Sequence, residues 1–184
     1  MQKTLIAVLA LFLFACNAEE KKGADTKGGV AGSSAADSLL YKPTYSSAFE
    51  MGDAKNVASL MNVWKAWDDG NLQAGRKYFA DSMRFYLRDG SKSDGPTDST
   101  LAGGQMYRNI FTSVKSTVHV VFPLKSTDKK DNWVCIWGTE VTTDKQGKID
   151  SVGIQESWRF NKDGKIDMMY QYSKALLPPA TSPN

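Results

Sequence analysis

Hydrophobic and polar positions along the chain separate it into a leader, a polar connector and one patterned domain. Residues Leu5 to Phe14 are unbrokenly apolar, follow the single charge of Lys3 and lead into Ala15 and Cys16. A run of ten is half the roughly 20 residues that a membrane-spanning helix requires, so residues 1–15 read as a cleavable secretory signal. Residues 16–49 are mostly Ala, Gly, Ser, Lys and Asp, with no apolar periodicity before Leu39-Leu40-Tyr41. Such a segment buries too little surface to offset its ordering entropy and reads as a flexible tether reaching roughly 30 Å. Residues 50–175 carry the periodic pattern of a single globular domain, and residues 176–184 form a tail.

Within the domain the period changes once. Asp53 is a plausible N-cap, and Val57, Leu60, Met61, Trp64 and Trp67 recur at helical spacing until Asp69-Gly70-Asn71 stops them. A second short helix is expected over Leu72 to Phe79, a strand over Met83 to Leu87, and a loop over the polar stretch Ser91 to Asp98. A third helix is expected from Asp98 to Ser113, burying Leu101, Met106, Ile110 and Phe111, with Gly103 and Gly104 marking a close approach. From Thr117 the pattern becomes strand-like over Thr117–Leu124, Trp133–Thr143, Ile149–Phe160 and Ile166–Tyr172. The last two breaks, around Gly147 and Gly164, read as hairpin loops with glycine in the left-handed conformation. In the strand through Ile154, the residues Ile154, Glu156, Trp158 and Phe160 share one side and Gln155, Ser157 and Arg159 the other. One acid therefore stands on a buried face. Helices followed by an antiparallel meander give the α+β class, about three N-terminal helices packed on a curved, mainly antiparallel, mixed-order sheet.

Composition excludes several classes. The formal net charge is +3, one unit of which leaves with Lys3, and the acids and bases are mixed, so no nucleic-acid footprint is present. No His/Glu helix pair or cysteine cluster suggests a transition-metal site, no phosphate loop or nucleophile elbow is present, and nothing calls for a cofactor. Cys16 and Cys135 are the only cysteines. Cys135, in Trp133-Val134-Cys135-Ile136-Trp137, reads as a small core hydrophobe. Leu13-Phe14-Ala15-Cys16 resembles a bacterial lipoprotein box. The resemblance implies cleavage before Cys16 and acylation of that residue, which would anchor the chain in a lipid bilayer at about 0.8 kcal/mol per buried methylene. Asn17, in place of an inner-membrane retention aspartate, points to the outer membrane of the cell envelope, on its periplasmic or surface side.

Two segments carry a second resemblance: Tyr78-Phe79-Ala80-Asp81 before the first strand, and Glu156-Ser157-Trp158-Arg159-Phe160-Asn161-Lys162-Asp163-Gly164-Lys165-Ile166 near the end. Together with the element order they resemble the nuclear transport factor two-like (NTF2-like) superfamily, and more narrowly its SnoaL-like members. The resemblance implies a cone with a pocket between the helices and the concave side of the sheet. Within that superfamily, the oxyanion tyrosine and general base of ketosteroid isomerases would fall near Val63 and Leu87, both aliphatic, so that mechanism is not expected.

Glu156 has two readings. It faces the pocket, where burial would raise its pKa, or it pairs at the rim with Arg76, Arg84 or a lysine. His119, alternating with valines in Thr117–Val121, and Tyr86 are candidate helpers of Glu156 in acid-base chemistry. Trp64, Trp67, Tyr86, Glu156, Trp158, Met169 and Gln171 are the expected pocket wall. The leading expectation is a lipid-tethered, non-catalytic domain that binds a small apolar or amphipathic molecule. The alternatives are a SnoaL-like cyclase, isomerase or dehydratase using Glu156, and an interaction domain whose cone is filled by its own tryptophans and which forms a homodimer.

Overall fold

The computed structural model describes residues 40–176, so the leader, Cys16, most of the tether and the end of the tail lie outside the described residues. The chain runs β1 (Phe49–Met51), α1 (Ala54–Asp68), a 3₁₀ helix (Leu72–Tyr78), β2 (Phe79–Tyr86), β3 (Lys92–Pro96), α2 (Thr97–Arg108), β4 (Phe111–Ser126), β5 (Asn132–Asp144), β6 (Ile149–Phe160) and β7 (Ile166–Ala175). The strands form one sheet in the order β1-β4-β5-β6-β7-β2-β3, antiparallel throughout except for the parallel pair β2–β7. The helices close over one face of it, and Leu60, Phe79, Met83, Val134, Ile136 and Phe160 make the centre of the core. This is the expected α+β architecture.

Helix α1 starts where its sequence says it should, with the Asp53 side chain accepting from the Lys55 N–H at 2.8 Å. Its end is secured by a device the periodicity does not show. Arg108, only 7% exposed, donates to the carbonyls of Trp67 (2.7 Å) and Asp68 (2.9 Å), and to that of Phe111 at 3.1 Å. A cation on the last carbonyls of a helix satisfies orphan acceptors and opposes the negative end of the dipole. Asp68 in turn accepts from the backbone N–H and the hydroxyl of Ser116, locking α1 to β4.

Several expectations are corrected. The helix expected to run to Ser113 ends at Arg108; Met106 is 74% and Ile110 48% exposed, and Phe111 opens β4. Met106 lies five residues after the buried Leu101, which places it about 140° around the helix and off the core face. Met61, one position after Leu60, is likewise exposed. The loop expected at Ser91–Asp98 contains the edge strand β3, whose polar residues and terminal Pro96 suit a sheet edge. Cys135 is half-buried on the outer face beside Ser157, because Val134 and Ile136 take the core-facing phase of β5. The tether docks sooner than residue 49: Ser46 donates to Asp128, Tyr45 donates to Asp131, and β1 pairs with β4.

Alternation along β4 breaks at His119. Val118 pairs with Gly138 and Val120 with Trp137, leaving His119 as the extra residue of a bulge. Val118 and Val121 consequently both pack against the core, while His119 and Val120 are exposed. Gly138 is what permits this, since its Cα faces the Thr117 carbonyl so closely that a Cβ would lie 2.2 Å from the oxygen.

Candidate functional site

Between the helices and the sheet lies a cavity of about 570 Å³. Its floor comes from Ile154, Glu156 and Trp158 of β6 and Met169 and Gln171 of β7; its roof comes from Trp64 and Trp67 of α1 and Leu101 of α2. Strand period two brings residues 154, 156 and 158 to this face, and the i, i+3 spacing of Trp64 and Trp67 sets both indoles above it. The volume falls within the range of small-molecule pockets, roughly 300–1,000 Å³.

Two carboxylates sit in this largely apolar wall, each bonded to one α1 tryptophan. Glu156, 5% exposed, accepts at Oε2 from Trp64 Nε1–H (2.9 Å) and Trp158 Nε1–H (2.8 Å), and at Oε1 from Gln171 Nε2–H (2.8 Å). Burial pushes its carboxyl above the ordinary glutamate range, against the pull of these three donors, and the Glu140 charge adds to the rise. Glu140, 7% exposed, accepts at Oε2 from Trp67 Nε1–H at 2.6 Å, while its Oε1 has only the Arg88 guanidinium, 4.0 Å away. Burial raises this group too, opposed by the Trp67 bond and by the Arg88 and Arg108 charges, with Asp68 adding to the rise. Arg88 donates to the Tyr107 hydroxyl at 3.2 Å, and the Tyr107 ring stacks on Trp67 with centroids 6.2 Å apart.

Neither a family model nor a curated protein matches the sequence. Solved structures do match. A protein assigned as a SnoaL-like polyketide cyclase, from Shewanella denitrificans, is 16% identical over 66% of this chain and 92% of its own, with a TM-score of 0.55. An NTF2-like protein of unknown function from Burkholderia pseudomallei is 15% identical over 66% and 92%, with a TM-score of 0.54. An epoxide hydrolase of the LEH-like type from M. tuberculosis is 11% identical over 66% and 84%, with a TM-score of 0.53. This domain has the SnoaL-like, NTF2-like fold. Identities this low carry the fold alone, and the two named neighbours with a described activity, a cyclase and an epoxide hydrolase, differ in it.

In this domain six of the expected wall residues, Trp64, Trp67, Glu156, Trp158, Met169 and Gln171, meet around the cavity. Tyr86 and His119 do not. Tyr86 alternates with the inward Phe85 and stacks on Tyr170 at 4.6 Å on the outer face, and His119 bonds Thr139 through Nε2 at 2.9 Å from its bulge, also outside. Neither can assist Glu156. The rim pairing considered for Glu156 is absent, since Arg76 is engaged with Asp98 and Asp81, and Arg84 with Asp94. Glu140 was not singled out from the sequence, although the signal that marked Glu156 was there: an acid in phase with Val134 and Ile136 along one strand. Among the described residues no cluster of His, Cys, Asp or Glu is placed to hold a metal ion.

Proposed function

We propose that this domain is a small-molecule binding module that holds an apolar or amphipathic ligand in its cone, carried on a lipoprotein anchored to the outer membrane through acylated Cys16. The observation that carries the binding reading is the open, mostly apolar cavity of about 570 Å³ whose deepest acid, Glu156, has both oxygens engaged by protein donors. A general acid or base needs an oxygen that can reach a substrate proton, and here three side chains already occupy Glu156. That favours holding over turnover. The anchoring part of the reading is supported by the leader of residues 1–15 and its terminal Leu13-Phe14-Ala15-Cys16.

The test is a native mass spectrum of the protein taken from its own membrane in mild detergent, beside the variant Gly103→Trp. Gly103 lines the cavity and a Cβ there meets nothing within 4 Å, so an indole at this position has room to block the cone. An adduct of fixed mass, released on activation and missing from the variant, is the expected result. A bare protein, or an adduct that survives Gly103→Trp, refutes the reading. The mass excess on Cys16 reports the acyl chains in the same experiment.

A further inference from the structure

The two acids of the cone differ in what they leave unused. Three protein donors bond Glu156, and each of its two oxygens accepts at least one of them. Glu140 keeps Oε1 free: no hydrogen bond reaches it among the described residues, and Arg88 at 4.0 Å is beyond bonding distance. That oxygen is also accessible, because among the described residues no fully buried side-chain nitrogen or oxygen lacks a partner. Glu140 lines the cavity together with the Trp67–Tyr107 stack. The geometry therefore sets a lone carboxylate acceptor at the edge of a flat aromatic wall, with nothing of the protein to fill it.

We propose that Glu140 selects the ligand's polar end: its free Oε1 demands that the apolar molecule in the cone carry a hydroxyl or N–H donor. The inference rests on the reading of the cone as a ligand site. A ligand with only an acceptor at that end would face a like partial charge and strip water from a carboxylate without replacing it. A ligand ending in a carboxylate would meet Glu140 as a like charge, with the half-buried Arg88 and the more distant Arg108, already committed to backbone carbonyls, to offset it.

The substitution Glu140→Gln makes a specific demand. Trp67 Nε1–H still needs an acceptor, so the amide oxygen of the new side chain must turn toward it and the NH₂ must face the cavity. The acceptor becomes a donor, and the preference should reverse. The probes are 2-naphthol, which donates, 2-methoxynaphthalene, which only accepts, and 2-naphthoate, which is anionic. Their affinities for the full mature protein are measured by calorimetry at neutral pH.

Wild type is expected to bind 2-naphthol about tenfold or more tighter than 2-methoxynaphthalene, the discrimination expected of a hydrogen bond to a charged acceptor. Glu140→Gln is expected to invert that ratio. Equal wild-type affinity for the two neutral probes overturns the proposal whatever the variant does, so the test survives a variant that fails to fold. Tightest binding of 2-naphthoate also overturns it and makes Arg88 the selecting group. If none of the three binds, the reading of the cone as a ligand site falls with the proposal, whereas binding without discrimination removes the proposal alone.

Discussion

Gly138→Ala should be among the most damaging single-methyl changes in this domain, and its size can be worked from the structure. The added Cβ would sit 2.2 Å from the Thr117 carbonyl oxygen and 3.1 Å from its carbon. The first distance is roughly 1 Å inside the ~3.3 Å at which carbon and carbonyl oxygen make favourable contact. The obstacle is backbone in the paired strand, so no rotamer change relieves it, and β4 must move away from β5 at the His119 bulge. Forcing a methyl into a filled site costs about 1–3 kcal/mol, and a backbone obstacle places this case at the upper end. The entropy that alanine removes from the unfolded chain returns about 0.4–1 kcal/mol, leaving a net loss of about 2 kcal/mol. For a domain of this size that is a fall in Tm of roughly 6 °C. Gly103→Ala is the internal control, because the same methyl meets nothing within 4 Å inside helix α2. There the change should stabilise by about 0.5–1 kcal/mol and raise Tm by roughly 2–3 °C. Thermal melts followed by circular dichroism measure both, and amide exchange at Thr117 to Val120 should quicken in the first variant only. A Gly138→Ala melt within about 2 °C of wild type would show that the bulge is not enforced by that contact.

Two further outcomes follow from the buried charges. Arg108→Ala leaves the carbonyls of Trp67, Asp68 and Phe111 without their donor and should cost about 3 kcal/mol, read as a lower urea midpoint at unchanged m, with Arg108→Lys intermediate because it cannot reach all of them at once. Glu140 and Glu156 both hold protons more tightly folded than unfolded, so their contribution to stability should grow as pH falls from neutral toward the ordinary glutamate value of 4.5 and stay constant below it. Asp89, Asp94 and Asp128, whose carboxyls are held low by hydrogen bonds and nearby cations, contribute in the opposite sense once pH drops through their range. Urea midpoints measured from neutral pH to pH 4.5 should therefore rise in wild type and rise less in Glu156→Gln; an identical rise in both would refute the assignment.

What was legible in the sequence was periodic. The α1 face from Val57 to Trp67, the buried side of β6 from Ile154 to Phe160, and the glycine turns at Gly147 (φ 82°) and Gly164 (φ 70°) all follow from local rules that the folded chain obeys. The structure departs from local pattern where a distant residue overrides it. Val120 turns outward and Val121 inward because Gly138, eighteen positions beyond Val120, lets the Thr117 carbonyl approach; no window around Val120 contains that fact. Strand β3 escapes notice because an edge strand needs no apolar residues. The end of α2 is set by its junction with β4, not by the apolar Ile110 and Phe111 beyond it. Tyr86 and Glu140 are different cases. The alternation Met83, Phe85 already put Tyr86 on the other face, and the phase of Val134 and Ile136 already put Glu140 inside. Both were readable once the strand phase was carried to its end.

The same tryptophans that could have filled the cone are what keep it open. Trp64 and Trp67 are each tied by the indole N–H to an acid on the sheet, Glu156 on β6 and Glu140 on β5. Swinging either ring into the void would bury more apolar surface, but it would break a hydrogen bond worth about 1 kcal/mol and leave a buried carboxyl oxygen unsatisfied at a further cost of about 1–3 kcal/mol. A core selected for stability alone would do better with an apolar residue at 156, since well-packed hydrophobic side chains commonly match or exceed a buried charge network. Glu156 makes sense instead as a brace: three donors from α1, β6 and β7 converge on it and hold the walls of the cavity at fixed separation. Glu140 repeats the device for Trp67 but with one oxygen to spare, so the arrangement that holds the cavity open also leaves that oxygen as the carboxylate acceptor of the pair available to a guest.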